Sequence, residues 1–260
     1  MNLSRVLAIV ARHYFLTIHQ MERYFEIILF PTMALLLMGF LGKYVSSLQS
    51  NLLLSFLVGG IILWVVFEKV NTDIGVSFMF EIWERNIVNL LSTPITILEF
   101  ISGLVLIGLV KVIFTIALVG ILASVFYDFK ITSLGFGLAL FWVNLILFAW
   151  TFGLFNVSMV LRFGHTVGPL TWSIPWLLQP VSAVFYPVSS LPLWLQKVSE
   201  ILPLSYVFEG MRQVLTFHTF SFELFVKSLI LNVLYLSISI GFFIWIFGKV
   251  KKSGRLVKLI

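Results

Sequence analysis

Continuous apolar runs of about 20 residues, separated by short polar stretches, set the reading of this chain. Hydrocarbon offers the backbone no water partners, so such runs cross a membrane as helices or a closed barrel. Continuity rather than in–out alternation selects helices. Residues 1–26 come first and are amphipathic. Arg5, Arg12, His19 and Arg23 fall near one face, with Leu3, Val6, Leu7, Val10, Tyr14 and Met21 on another, as in a helix lying in the interface plane. A first span is expected over 27–41, with Pro31 early in it and Lys43 and Tyr44 anchoring its end. Asn51 caps a second helix that is apolar to Phe67 and then carries Glu68, Lys69 and Asp73. A third span covers 97–126. A turn follows at 127–132, and Ser133 caps a fourth span ending near Arg162. The fifth apolar stretch, 167–186, is interrupted by Pro169, Pro175 and Pro180. A proline-punctuated amphipathic segment follows over 187–218, then a sixth span over about 224–247 and a basic tail from Lys249 to Lys258. The expectation is one all-α membrane domain, 1–260, with six transmembrane helices and no internal repeat.

Between the second and third spans lies FEIWERNIVNLLSTPI, residues 80–95. Ile82, Trp83, Ile87, Leu90 and Leu91 recur at three- and four-residue spacings, while Glu81, Glu84, Arg85 and Asn89 are polar, so one short amphipathic helix is predicted. Pro94 ends it. Thr96 then opens the third span, with Glu99 placed for a capping box. Two readings are open: a handle through which an outside partner moves both spans, or a helix that merely rests on lipid headgroups.

Composition agrees with the pattern: 60% hydrophobic, 11% charged and mean hydropathy +1.08 exclude an ordinary soluble domain. The chain has no cysteine, which removes disulfides and thiol chemistry. The net charge of +6 sits beside spans, so anionic lipid rather than nucleic acid is the expected partner. With the N-terminus inside, the cytoplasmic side holds Arg5, Arg12, Arg23, Lys69, Arg85, Arg162, Lys249, Lys251, Lys252, Arg255 and Lys258. The outer side holds only Lys43, Lys130, Lys197, Arg212 and Lys227. That bias places both termini in the cytoplasm and the segment 187–218 outside. The charged N-terminal stretch lacks the compact apolar core of a cleavable signal.

Charges inside spans are costly and are functional candidates by default. Lys111, roughly 21 Å along the third span, and Glu68, roughly 25 Å along the second, differ in depth by about 15 Å, too far to pair. Asn232 is the favoured partner for Lys111; substrate contact and snorkelling outward are the alternatives. Glu68, Lys69 and Asp73 line the cytoplasmic approach or pair locally, as Lys69 and Asp73 can at i, i+4. His13, His19, His165 and His218 share no ligand spacing, and no G-x-x-x-x-G-K-[ST], H-E-x-x-H or G-x-S-x-G occurs.

The segment VFYPVSSLPLWLQKVSEILPLSYVFEGMRQVL, residues 184–215, closely resembles the hallmark of ABC-2 type transporter permeases, in Phe185, Tyr186, Pro187, Leu191, Pro192, Trp194, Leu195, Leu202, Pro203, Tyr206, Glu209 and Arg212. Residues Glu84, Arg85, Leu90, Leu91, Thr93 and Pro94 resemble the family's cytoplasmic coupling stretch, although Ile87 and Val88 stand where many members have Gly-Thr. The resemblance implies a homodimer in the inner membrane carrying two cytoplasmic ABC ATPase subunits. ATP and Mg would be bound by those partners and no cofactor by this chain. Trp83, Glu84, Arg85, Asn86, Leu90, Leu91, Thr93 and Pro94 become the coupling set. A re-entrant outer segment carries Phe185, Tyr186, Pro187, Pro192, Trp194, Pro203, Tyr206, Glu209 and Arg212, as an aromatic gate or as interfacial anchors. Glu68, Lys111 and Asn232 are pathway candidates. Cargo would be drug- or lipid-like; a lipid-linked polysaccharide is the alternative, and a gradient-driven transporter a more distant one.

Overall fold

A computed structural model describes residues 1–48, 51–84 and 86–252, and the described residues are helical with no strand among them. Helix α1, Leu3–His19, starts where the Asn2 side chain accepts a hydrogen bond from the Ser4 amide at 3.0 Å. Its C-cap, Gln20, is extended, and the chain turns into α2, Met21–Tyr24. A π-helical turn, Phe25–Leu29, then leads into α3, Phe30–Ser46, so that Met21–Ser46 forms one long apolar element. The turn has a local cause. Pro31 has no N–H to give the Ile27 carbonyl, and the Thr115 hydroxyl of a neighbouring helix donates to that oxygen at 3.3 Å.

Helix α4, Asn51–Trp83, is 33 residues long and runs through the middle of the molecule, with every residue from Val58 to Phe67 buried. It is longer than the periodicity predicts. Phe80–Trp83, expected in the short handle helix, continue α4, because Ile82 is buried in the core and Glu81 is held by partners described below. The handle helix proper shrinks to α5, Ile87–Ser92. The third span, α6, Ile97–Tyr127, begins with the expected capping box: Glu99 N–H donates to Thr96 Oγ1 at 3.2 Å, and Thr96 N–H to Glu99 Oε2 at 2.9 Å. Tyr127 closes its far end by laying its ring over Gly39 of α3 and donating to the Leu36 carbonyl at 3.0 Å. Helix α7 is Gly137–Phe163 and the last long helix, α11, is Phe222–Lys252. Several polar contacts join α11 to its neighbours. Asn232 Nδ2 donates to Asn144 Oδ1 at 2.8 Å, Ser239 to the Thr151 carbonyl at 2.7 Å, and Ser228 to the Pro203 carbonyl at 2.9 Å.

Among the described residues, five helices are long and apolar enough, by length and composition, to cross a membrane. The predicted fifth span is different: only α8, Gly168–Val181, forms, 14 residues or roughly 21 Å against a core of about 30 Å. It runs beside α4. A Cβ on Gly168 would meet Met79 Sδ at 2.8 Å, and one on Gly60 would meet the Val184 carbonyl at 2.8 Å. Two short helices, α9, Leu193–Glu200, and α10, Pro203–Phe217, then fold back over the far ends of α4, α7 and α11. Capping by Asn51, the position of Arg85, the side chain of Leu91 and the tail beyond Lys252 lie outside the described residues.

Candidate coupling and transport site

At the handle end, α1 turns its polar face inward. Arg12 forms a two-pronged pair with the buried Glu81 carboxylate, one prong at 3.1 Å, and Asn86 Nδ2 donates to the same carboxylate at 2.7 Å. Beyond α5, Arg5 donates to the Pro94 carbonyl at 2.6 Å and lies 3.6 Å from Glu99, which also accepts from the Asn2 amide at 2.7 Å. One helix therefore grips both edges of the handle. Close packing supports the grip: a Cβ on Gly103 of α6 would stand 2.6 Å from Ile9 Cγ2. Beneath Arg12 lies His13, 3.6 Å from Glu81 and beside the Phe100 ring. Burial, and then the neighbouring Arg12 charge, push its pKa down to about 3 and keep it neutral. The opposite face of α1 leaves Leu3, Leu7, Tyr14 and Phe15 exposed.

Within the predicted coupling set, Trp83, Glu84, Thr93 and Pro94 are exposed, whereas Leu90 is buried in the core and Asn86 is turned to Glu81. The Thr93 hydroxyl donates to the Leu90 carbonyl at 2.6 Å and closes the end of α5. Sequence reading missed Arg5, Arg12 and Glu81 as a unit. The sequence places the arginines only on one face of α1, and nothing local ties them to residues more than 60 positions away.

At the far end, Ala183 adopts φ 53°, which turns the chain out of α8. Arg212 of α10 donates to the Ala183 carbonyl at 2.9 Å and pairs with Glu209 at 3.1 Å, and Glu209 accepts the Val188 amide at 2.7 Å. Tyr186 OH reaches back to the Pro180 carbonyl at 2.7 Å, and Tyr206 OH to the Glu200 carbonyl at 2.7 Å. Phe185 packs on the core beside Gly60, while Trp194 on α9 points outward. Pro187, Pro192 and Pro203 each stand at the start of a helical turn, where a missing N–H costs nothing.

Between the two ends runs a buried chain of charges: Arg23 to Glu26 at 3.4 Å, Glu26 to Lys69 at 3.8 Å, Lys69 to Asp73 at 3.5 Å and Asp73 to Lys111 at 3.2 Å. The expected Lys69–Asp73 pair is there. The partner of Lys111 is Asp73, not Asn232, which bonds Asn144 instead. The length of α4 is the cause: unbroken helix brings Asp73 alongside Gly108, whose missing Cβ makes room for it. Glu68 is half-buried and outside this chain of charges.

The described residues thus form an all-helical chain with several long apolar helices, a gripped turn at one end and a folded-back segment at the other. Its sequence carries the family signature to match: the profile described as "ABC-2 type transporter" covers residues 4–216, and the chain belongs to that family. Among its relatives is the inner membrane transport permease YadH of Escherichia coli strain K12, 26% identical over 178 residues, 66% of either chain. The YadH proteins of E. coli O157:H7 and Shigella flexneri match to the same extent, so the similarity spans just under two thirds of these relatives' length.

Proposed function

We propose that this chain is the membrane subunit of an ATP-driven exporter that moves a hydrophobic or amphipathic small molecule out of the cytoplasm. It carries no phosphate-cradling loop, so ATP and Mg bind separate ATPase subunits, two for each homodimer of this chain. The observation that carries the reading is the double grip of α1 on the handle. Arg12 on Glu81 and Arg5 on Pro94 make α1, the end of α4 and the start of α6 one body. Trp83, Glu84, Thr93 and Pro94 project from that body, so a push on them moves two spans together. Lys and Arg placement puts this end and both termini in the cytoplasm. Helix α8 serves as the sixth crossing. It is too short to face lipid alone, and Pro175 and Pro180 leave backbone carbonyls that need a cavity or a second copy.

The test is co-expression with the ATPase encoded beside this chain. Purification should yield a complex with two copies of each subunit, and a permease that purifies alone, indifferent to the ATPase, overturns the reading.

A further inference from the structure

The cations nearest the N-terminus are engaged inside the protein. Arg5 lies against Glu99, Arg12 against Glu81, Arg23 against Glu26, and Lys69 against Glu26 and Asp73. The outer face of α1 is apolar, with Leu3, Leu7, Tyr14 and Phe15 exposed, so α1 has little charge to offer a lipid surface. The positive charge that remains gathers at another edge. Arg162 at the end of α7 and Lys249, Lys251 and Lys252 at the end of α11 are exposed. Among the described residues, no carboxylate pairs with any of the four.

Two of these cations converge on one ring. Arg162 Cζ stands 6.0 Å from the centre of the Trp245 indole and 5.2 Å from that of Phe163, and Lys249 Nζ stands 5.4 Å from the same indole. The ring holds each cation but carries no net charge, so the repulsion between them is left uncompensated. Trp245 is half-exposed and lies roughly 35 Å along α11 from Phe222, which puts it at the inner edge of a hydrocarbon core of about 30 Å. An indole at that level is an interface anchor. Lys249 and Lys252, one and two turns further along the same side, reach the level of the lipid phosphates. In the other direction, Gly241 lies one turn back from Trp245, and exposed Ile238 and Leu234 continue that face into the membrane. A Cβ on Gly241 or Gly248 would meet nothing within 4 Å, so packing inside the protomer does not account for two residues that weaken a helix. The edge is cationic at headgroup level and open and apolar below it.

We propose that this α7–α11 edge, Arg162, Trp245, Lys249 and Lys252 with the strip through Gly241, binds an anionic phospholipid of the inner leaflet. Its phosphate sits between Arg162 and Lys249, and an acyl chain lies along Trp245, Gly241 and Ile238. A zwitterionic lipid brings an ammonium group into the same cluster of cations and is disfavoured. The proposal goes beyond the transporter reading and does not need it.

The experiment titrates the full chain, purified in detergent and stripped of lipid, with phosphatidylglycerol or phosphatidylcholine of identical acyl chains, and counts bound lipid by native mass spectrometry. The wild type should hold phosphatidylglycerol roughly tenfold or more tightly than phosphatidylcholine. Arg162→Gln and Lys249→Gln should each weaken that binding severalfold and together remove the preference. Lys251→Gln removes the same charge from a different side of α11 and should leave the preference intact. Glycerol phosphate, the headgroup without chains, should not displace the lipid at equal concentration. No preference in the wild type, equal losses in Lys249→Gln and Lys251→Gln, or equal competition by glycerol phosphate overturns the proposal. A second measurement needs no variant. Phosphatidylglycerol with a photoreactive acyl chain, in nanodiscs of wild-type protein, should label the stretch 234–245, and labelling should fall with added phosphatidylglycerol and not with phosphatidylcholine. Equal competition by both lipids, or equal labelling of the exposed faces of α3 and α6, overturns it. Neither assay contains an ATPase, so loss of ATP coupling leaves both results standing, and failure here leaves the coupling assay untouched.

Discussion

Glu81 is the residue on which the handle end depends. Its carboxylate is buried, and Arg12 and Asn86 supply its hydrogen bonds. Removing Arg12 leaves an anion in a dry place, while Arg12 itself is about one third exposed, which lowers the worth of the pair. Arg12→Ala should therefore cost about 1–3 kcal/mol. In a double-mutant cycle with Glu81→Gln, most of that cost should vanish in the Gln background, as measured by denaturant unfolding in micelles. His13 beneath it adds a pH dependence. Its pKa falls from 6.5 to about 3 on folding, so between those values the unfolded chain binds the extra proton. Stability is then full above about 6.5 and is lost as pH falls towards 3. Thermal unfolding at pH 7.5 and pH 5 should differ less in His13→Gln than in the wild type; an unchanged difference would show that His13 is already charged when folded. None of this was legible in the sequence beyond the amphipathic face of α1. The partners of Arg5 and Arg12 sit 69 to 94 positions away, beyond the reach of any local periodicity.

Among the elements, features set by local spacing are legible in the sequence. The capping box at Thr96 and Glu99 and the i, i+4 pair of Lys69 with Asp73 depend on spacing alone, and both are present. Lengths were read less well. Helix α4 outruns its apolar stretch because its last turns, polar at Asp73, Ser77 and Glu81, are paired or covered by α1, α6 and α7 rather than by water. Helix α8 falls short of its apolar stretch because hydrophobicity does not say where the chain must turn back at Ala183. Close approach is a property of pairs of elements. At Gly39 an added Cβ would lie 2.1 Å from the Tyr127 ring, whereas at Gly241 nothing stands within 4 Å. Gly39→Ala should destabilise the α3–α6 contact by about 1–3 kcal/mol or more. Gly241→Ala should be neutral or slightly stabilising, since alanine is the better helix former. The same unfolding assay compares them, and equal effects would mean that α3 and α6 do not meet at Tyr127.

On the scale of the whole molecule, the two ends are linked by rigid material. The handle body continues into α4 and α6, the buried charges tie those helices to the start of the first span, and α4 reaches α8 and the folded-back α10. In the proposed coupling, the long central helix with its gripped end transmits displacement instead of absorbing it. This connects the exposed Trp83 and Glu84 to the segment held by Arg212 and Glu209 roughly 40 Å away along α4. The spans and the handle were visible as hydrophobic pattern, but this linkage was not, because it is made of contacts between distant segments. The most direct measurement is ATP hydrolysis by the partner ATPase in proteoliposomes, with wild-type chain and with Glu84→Ala. Glu84 is exposed, so the variant should fold and still bind the ATPase, yet lose the substrate-stimulated part of hydrolysis. Full stimulation by Glu84→Ala together with Trp83→Ala would contradict the account and leave the handle as a helix resting on the membrane surface.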